Sequence, residues 1–421
     1  MAATPHPLRI PDFRRYWVAR LANTLAQTAM VVVIGWETYA IARRTMPPRE
    51  AALQLGVVGA VQFLPLALLT LVVGWVADRI DRRWIARTAS LVEAGCAAAL
   101  CWFAWQGTTT LPAIFTVAAL LGAARAFANP ALQALAPNLV PIEVLPTAIA
   151  VSSIAWQTGA ICGPALGGYL YAAHAWLPFL VVAFFFLLDA TMLMGIKPVP
   201  RPPISHAHPV RQMIEGLRYV RHNRIVLGAI SLDLFAVLLG GATAMLPVYA
   251  RDVLHVGAAG LGTLRAAPAV GAMATALLLG VRPLRRNVGV KMLAAVAVFG
   301  AATVVFGWSR WLPLSLLALV VLGSVDMISV YVRQSLIQIH TPDAMRGRVG
   351  AVSSLFISGS NELGEAESGF LAALIGPVAA VVVGGFGAIA VTILWSRLFP
   401  ELARARTFAL PIPEPTEETR P

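Results

Sequence analysis

The stretch "GWVADRIDRRW", from Gly74 to Trp84, places five charged residues within the six positions from Asp78 to Arg83. It follows twenty-seven residues, 51–77, that carry no charge. The whole chain is 58% hydrophobic and 12% charged, with a mean hydropathy of +0.75, whereas soluble domains carry about 25% charged residues. A long apolar run that ends in a charge cluster is typical of a membrane-spanning helix followed by a surface loop.

Similar apolar stretches recur along the whole chain, and a helix needs roughly 20 such residues to cross a bilayer. About twelve are present, at residues 14–41, 51–77, 84–106, 111–137, 145–173, 175–196, 225–250, 256–281, 289–309, 311–339, 349–373 and 376–398. Little sequence is left for a soluble domain. The sequence therefore predicts an all-α membrane protein with 12 transmembrane helices embedded in a lipid bilayer.

Lysine and arginine concentrate on one side of these predicted spans. That side holds both termini, the loop at 78–83 and the basic segment 197–224. The positive-inside rule places this side in the cytoplasm. The net charge of +12 is therefore assigned to membrane orientation, and no nucleic-acid partner is expected. A cluster on the opposite side, Arg43, Arg44 and Arg49, departs from the rule.

The second half of the chain repeats the first in the same orientation, at a fixed offset of 201 residues. In this register Gly122 matches Gly323, Pro141 matches Pro342 and Gly168 matches Gly369. The repeat predicts two pseudo-symmetric six-helix bundles, at 1–196 and 225–399. Between them we expect a cytoplasmic linker, 197–224, with a short amphipathic helix near 209–222, and after them a disordered cytoplasmic tail, 400–421.

The opening stretch resembles the loop signature of the major facilitator superfamily, Gly-x-x-x-Asp-Arg-x-Gly-Arg-Arg. Asp81 stands where the signature has its second glycine, and the matching positions are Gly74, Asp78, Arg79, Arg82 and Arg83. We hypothesise that Asp78 faces the positive N-terminal end of span eleven, near Gly347. It would bridge the two halves at the cytoplasmic face when the protein is open outward and release that contact when the protein opens inward. For the arginines the alternative is that they only fix topology.

Span five contains "GAICGPALGG", which resembles a signature of the proton-antiporting, exporting branches of the superfamily. The matching positions are Gly159, Gly163, Pro164, Gly167 and Gly168. Small residues four apart form a packing groove and the proline bends the helix, so the segment can hinge or seal a cavity. The alternative is generic helix packing.

The resemblance extends along nearly the whole chain and is closest to the bacterial exporter branch that contains the enterobactin exporter and macrolide-efflux-like proteins. It is carried by "DFRRYW" (12–17), "QFLPLALLTLVVGWVADRIDRR" (62–83), "GPALGG" (163–168), "EGLRYVRHNR" (215–224), "TPDAMRGRV" (341–349) and "SNELGEAESG" (360–369). It implies a monomeric transporter of the bacterial inner membrane, whose central cavity is lined by spans 1, 4, 7 and 10.

Ionisable groups inside spans are costly and are functional candidates by default. Arg125 in span four and Asp326 in span ten occupy equivalent positions of the repeat, which places them at the same depth on opposite walls of the cavity. We expect an ion pair there, or a pair separated by substrate. The alternative is that each is solvated or satisfied by its own neighbours.

Other intramembrane carboxyl groups are candidates for proton coupling. Asp233 in span seven aligns with Asn23 in span one, and Glu37 lies near the outer end of span one, where it can also reach interfacial water. In span eleven, Glu362 and Glu365 share a helix face, while Glu367 points elsewhere; a structural role is an open alternative. Weaker candidates, expected either to join helices or to lie at the inner membrane interface, are Glu93, Asp189, Arg265 and Arg333.

Several function classes are excluded or disfavoured. The only lysines are Lys197 and Lys291, and no phosphate-binding loop exists, so an ion gradient must drive transport. The linker histidines, His206, His208 and His222, are interpreted as solvated; no metal site, catalytic residue or cofactor is expected. The leading hypothesis is a proton-coupled exporter of small amphipathic molecules such as drugs or siderophores. Alternatives are a lysophospholipid flippase or importer of the same fold and, more remotely, a membrane enzyme or sensor.

Overall fold

A computed structural model describes residues 6–198 and 209–408. At some helical positions, among them 70–75 and 77–79, it describes the backbone alone. In the first half, six long helices follow one another with short connections. They are α1 (Pro11–Ala42), α2 (Pro48–Arg79), α3 (Arg82–Gln106), α4 (Leu111–Leu135), α5 (Leu145–Ala173) and α6 (Leu177–Met194). Prolines lie inside α2, α4 and α5 without ending them, as a packed membrane bundle allows.

A surface helix, α7 (Pro209–His222), leads into the second half. It packs on that half through Glu215, whose carboxylate lies 2.7 Å from the Arg348 guanidinium, and through Tyr219, whose hydroxyl donates to the His340 carbonyl. The linker residues 199–208 lie outside the described residues. Of the tail 400–421, which was predicted to be disordered, residues 400–408 are described and begin with a short helix at Pro400–Ala403, whereas residues 409–421 lie outside the description.

The seventh span is a broken helix. The span predicted at 225–250 is present, as Arg224–Val253, but its helix is interrupted, which the apolar pattern did not indicate. Helix α8 (Arg224–Leu239) ends at Gly240, a 3-10 turn covers Ala242–Met245, and the short helix α9 (Leu246–Val248) passes into a π-helical turn at Tyr249–Val253. The Gly240-Gly241 pair followed by Pro247 accounts for the break, because glycine weakens a helix and proline removes a backbone donor.

The remaining spans are α10 (Gly257–Val281), α11 (Val288–Trp308), α12 (Leu312–His340), α13 (Asp343–Ile375) and α14 (Pro377–Leu398), followed by the short α15 (Pro400–Ala403). Within the described residues, eleven segments are long and apolar enough to cross a membrane. Helix α13 is not one of them, since it carries several charges, yet it packs within the bundle. The expected 12-helix architecture is thus confirmed.

The contacts among helices repeat between the halves. In the first half α1 packs on α5 and α6, α3 packs on α4 and α6, and α2 packs on α4; in the second, α8 packs on α13 and α14, α11 on α12 and α14, and α10 on α12. The halves meet through α2 against α13 and α5 against α10, which is one contact and its symmetry mate. This is the relation expected of parallel repeats around an axis along the membrane normal.

Glycines permit the close crossings between the halves. A Cβ on Gly369 would lie 2.3 Å from the Cα of Gly56, and a Cβ on Gly168 would lie 2.8 Å from the Cα of Gly262. Both crossings lie toward the distal side of the bundle, the side opposite the termini, where the connections 43–47, 107–110, 174–176, 254–256 and 309–311 are found. On the distal side, therefore, the helix backbones of the two halves lie in direct contact.

Candidate transport cavity

A cavity of about 590 Å³ lies between the two halves, near the middle of the helices that line it. Spans 1, 4, 7 and 10, the predicted lining, all contribute to it through α1, α4, α8–α9 and α12. Helices α2, α5, α10, α11 and α13 contribute as well, with Gln62, Trp156, Arg265, Phe299 and Glu362 among their lining residues. The volume is typical of a small-molecule site.

The wall combines apolar side chains with five charged ones, Arg125, Arg265, Asp326, Glu362 and Glu365. The guanidinium of Arg265 lies 3.2 Å from the Glu365 carboxylate and donates to the Thr243 carbonyl at 2.8 Å. Arg125 donates to the Gln62 side-chain oxygen at 3.2 Å. Helix α13 thus presents Glu362 and Glu365 to the cavity, as the shared helix face predicted, while Glu367 is not among the lining residues.

Arg125 and Asp326 both face the cavity, but the ion pair predicted between them is not formed. Among the described residues Asp326 has no hydrogen bond or ion pair, and the Nε atom of Arg125 is buried without a partner. Both side chains line the cavity, and Arg125 is bonded to its neighbour Gln62, so a pair separated by substrate and residues satisfied by their own neighbours both stay as predictions.

Asp233 lies outside the central cavity. Its carboxylate pairs with the Arg333 guanidinium, and both residues are buried, at 6% and 3% exposure. At the equivalent position of the first half, Asn23 donates to Asp189 at 2.8 Å, and Ser90 donates to the same carboxylate at 2.7 Å. The two halves therefore satisfy corresponding buried positions differently, one with an ion pair and one with an amide–carboxyl network.

The network around Asn23 extends to a second buried carboxyl group. Asn23 and Gln27 donate to Glu93 at 3.4 and 3.1 Å, and both Glu93 and Asp189 are fully buried. These contacts join α1 to α3 and α6, as the sequence predicted for its weaker candidates. Arg265, grouped with them, also joins helices, through its contact with Glu365 of α13, and in addition it lines the cavity.

Glu37 is enclosed by protein, which removes the alternative that it reaches interfacial water. It is 5% exposed and accepts a hydrogen bond from the Tyr171 hydroxyl of α5. It is not among the cavity-lining residues.

The loop signature is described only in part, since the side chains of Gly74, Asp78 and Arg79 lie outside the description, and with them the bridge predicted for Asp78. Asp81 accepts a hydrogen bond from the Arg83 backbone at 2.9 Å and so caps α3. Arg83 pairs with Asp81 at 2.5 Å and donates to the Ile196 carbonyl at 2.9 Å. The residue that departs from the signature therefore starts a helix, and Arg83 joins α3 to the end of α6.

The span-five glycines pack on two different helices. A Cβ on Gly159 or Gly163 would lie within 3 Å of Thr24 or Thr28 of α1, and the Thr28 hydroxyl donates to the Gly159 carbonyl at 2.9 Å. Gly168 faces α10 instead, where a Cβ on Gly262 would lie 2.7 Å from the Pro164 carbonyl oxygen. The segment thus packs inside its own half and across the boundary between the halves.

Comparison with known proteins assigns the family. Residues 16–365 match the Major Facilitator Superfamily. The chain is 28% identical over 401 residues to the enterobactin exporter EntS of Citrobacter koseri and 27% identical over 403 residues to the enterobactin exporter EntS of Escherichia coli; each alignment covers 94% of both chains.

Solved structures share the fold at low identity. A D-xylose–proton symporter superposes with a TM-score of 0.71 at 14% identity, covering 93% of this chain and 98% of the other. A bacterial homologue of the human lysosomal transporter Spinster, in an inward-facing and unoccupied conformation, superposes with a TM-score of 0.70 at 15% identity, covering 94% and 99%. The chain belongs to the Major Facilitator Superfamily and is a multi-pass membrane transporter.

Proposed function

We propose that this protein is a proton-coupled exporter of small amphipathic, siderophore-like molecules, acting as a monomer in a bacterial inner membrane with both termini in the cytoplasm. The observation that carries the proposal is the central cavity, which both halves line at mid-depth and which holds three carboxyl groups and two arginines. Binding near the membrane midplane between two repeats is what alternating access requires.

The substrate class is supported by the wall and by the relatives. Trp156, Phe299 and Val31 offer apolar contact, and Arg125 and Asp326 offer charged groups of both signs without an ion pair to each other. An amphipathic molecule with polar substituents matches such a surface. Relatives aligned over 94% of the chain are named enterobactin exporters, which favours a siderophore and favours export over import.

Alternating access is supported by the contacts on the distal side. There the Arg43 guanidinium of α1 lies 3.0 Å from the Asp252 carboxylate, and Arg251 donates to the Ala40 carbonyl at 3.3 Å. Together with the crossings at Gly56–Gly369 and Gly168–Gly262, these contacts close the distal side. We infer that the structure represents a state closed on that side, and that transport requires these contacts to separate.

Proton coupling is supported by two cavity carboxyl groups. Asp326 and Glu362 line the cavity, and neither forms an ion pair or hydrogen bond with another described residue. Intramembrane carboxyl groups facing a cavity are the usual sites of proton exchange in transporters. Glu365, in contrast, is paired with Arg265.

The test is transport into inverted membrane vesicles with an imposed pH gradient, acid inside, using enterobactin and a panel of amphipathic dyes. We expect uptake that depends on the gradient and is reduced in Asp326→Asn and Glu362→Gln. The matched control is Glu50→Gln, because Glu50 is exposed on the distal side, away from the cavity. Uptake that is indifferent to the gradient would overturn proton coupling, and gradient-driven uptake only into right-side-out vesicles would assign an importer.

A further inference from the structure

A small pocket lies next to the cavity wall and is lined by residues of α8, α11 and α12. Its volume is about 10 Å³, which is room for a single water molecule. Val237, Phe299 and Asp326 line both this pocket and the central cavity. These three side chains therefore border both the pocket and the central cavity.

Three polar side chains face the pocket, Asp326 and Ser329 from α12 and Asp233 from α8. Ser329 is 3% exposed, and its hydroxyl has no hydrogen-bond partner among the described residues. The hydroxyls of Ser324 and Ser335, on the same helix, instead donate to backbone carbonyls at 2.8 Å. A buried hydroxyl without a partner is unfavourable, so the pocket calls for a ligand that hydrogen-bonds to Ser329.

The charged groups around the pocket lie on two sides of Asp326, in the central cavity and in the ion pair behind it. Helix α11 contributes only Ala295, Val296 and Phe299. From α8 the charged group is Asp233, which pairs with Arg333 of α12. Across the central cavity the charged groups are Glu362 and Glu365 of α13, Arg125 of α4 and Arg265 of α10. Asp326 therefore stands between the cavity on one side and the Asp233–Arg333 pair on the other.

We propose that the pocket binds one water molecule that relays a proton between Asp326, at the cavity wall, and Asp233, behind it. The protonated Asp326 carboxyl donates its proton to the water oxygen, and the water gives one of its own protons to the Asp233 carboxylate. Ser329 donates a hydrogen bond that orients the water. One O–H bond breaks at Asp326 and one forms at Asp233, so that Asp233 becomes neutral and releases Arg333.

This inference rests on the proposed proton coupling and extends it, because it links the protonation of a cavity carboxyl group to the packing of α8 against α12. The Asp233–Arg333 pair joins these helices. Neutralising Asp233 removes the charge that holds Arg333, which allows the broken seventh span to move relative to α12. The relay would thus convert a proton taken from the cavity into a change in helix packing.

The water site is tested by infrared difference spectroscopy between acid and alkaline pH on the full-length protein in lipid nanodiscs. We expect an O–H stretching band that shifts in H₂¹⁸O, is lost in Ser329→Val and persists in Ser335→Val. The valine at 329 removes the hydroxyl and fills the pocket, while the control removes a hydroxyl already bonded to its own helix. A wild-type spectrum without such a band, or a band that survives in Ser329→Val, would overturn the water site.

The relay is tested in proteoliposomes with enterobactin, by comparing uptake driven by a pH gradient with counterflow exchange at equal pH. We expect Ser329→Val to lower the ratio of gradient-driven to exchange transport by about tenfold or more, in line with the loss of a positioned proton-transfer group. An equal loss of both activities, or none, would overturn the relay. Wild-type uptake indifferent to the gradient would instead contradict the proposed function, and the infrared result would still decide the water site.

Discussion

Arg43 and Asp252 join the two halves of the transporter on the distal side, with the Arg43 Nε atom 3.0 Å from the Asp252 carboxylate oxygen. The Tyr39 hydroxyl donates to the same oxygen at 2.5 Å. Arginines are rare on this side, and the sequence offered no reason for the cluster at 43–49. The ion pair explains the position of Arg43, because its partner Asp252 belongs to the other half.

Removing the charge of Asp252 should favour opening of the distal side. The pair is about one-quarter exposed on each side chain, so we expect Asp252→Asn to shift the equilibrium by about 1 kcal/mol, or roughly fivefold in population. The measurement is the spin-label distance between Thr108 and Trp311, which lie in distal connections of the two halves, in a background without the native cysteines. Glu50→Gln, a carboxyl-to-amide change on the same side, should leave the distance distribution unchanged.

Added side-chain volume at the glycine crossing between α5 and α10 should also favour opening of the distal side. A Cβ on Gly168 would lie 2.5 Å from the Ala258 carbonyl oxygen, and overpacking of this kind costs about 1–3 kcal/mol. We expect Gly168→Ala to slow transport and to populate the opened distal side. Gly280→Ala, on α10 where a Cβ meets no atom within 4 Å, should transport at the wild-type rate; equal loss in both variants would contradict a role for the crossing.

The Arg265–Glu365 pair should govern substrate affinity. Glu365→Gln leaves Arg265 in the cavity wall without its carboxylate, and a lost hydrogen bond to a charged group costs about 1.5–3 kcal/mol. We expect the KM for transport to rise by roughly tenfold or more. The control is Glu367→Gln on the same helix, outside the cavity lining, whose KM should stay within about twofold of wild type.

The cap at Asp81 should contribute to stability. Asp81→Ala removes both the hydrogen bond to the Arg83 backbone and the ion pair to its side chain, while Asp81→Asn keeps an oxygen able to cap α3. Loss of an N-cap costs about 0.5–2 kcal/mol. We therefore expect a lower Tm for the alanine variant than for the asparagine variant, measured on detergent-solubilised protein. Identical Tm values would show that the cap is energetically unimportant.

The architecture and part of the cavity lining could be predicted from the sequence alone. Residue spacing in the repeat placed Arg125 and Asp326 in a common cavity, because equivalent positions of a parallel repeat share a depth. It did not predict that they stay apart, since the orientation of long side chains depends on neighbours such as Gln62, which holds Arg125. That contact comes from α2, which the resemblance did not place in the lining.

Other features needed the folded structure. Hydropathy located span seven but did not show that its helix is broken. Gly240-Gly241 and Pro247 allow the break, and the folded structure shows how closely α13 packs there, since a Cβ on Gly241 would lie 2.8 Å from the Gly364 carbonyl oxygen. The hydrogen-bond and ion-pair partners of Asp233 and Asn23 could not be predicted from the sequence either. Arg333 and Asp189 lie 100 and 166 residues away along the chain, and a single sequence carries no signal for such pairings.

The Asp233–Arg333 pair predicts that a single substitution lowers the Tm and that a second substitution, at the partner residue, raises it again. Breaking a buried ion pair by removing one partner costs roughly 3–5 kcal/mol, because the remaining charge is left uncompensated, whereas replacing both partners by neutral groups is often tolerated. We expect Arg333→Met to lower the Tm strongly and the double variant Asp233→Asn, Arg333→Met to recover most of it. Asn23, which already places an amide at the equivalent position of the first half, indicates that the fold accepts this substitution. If the double variant were less stable than Arg333→Met alone, the two residues would not act as a charge pair, and Asp233 would have to be stabilised by another group.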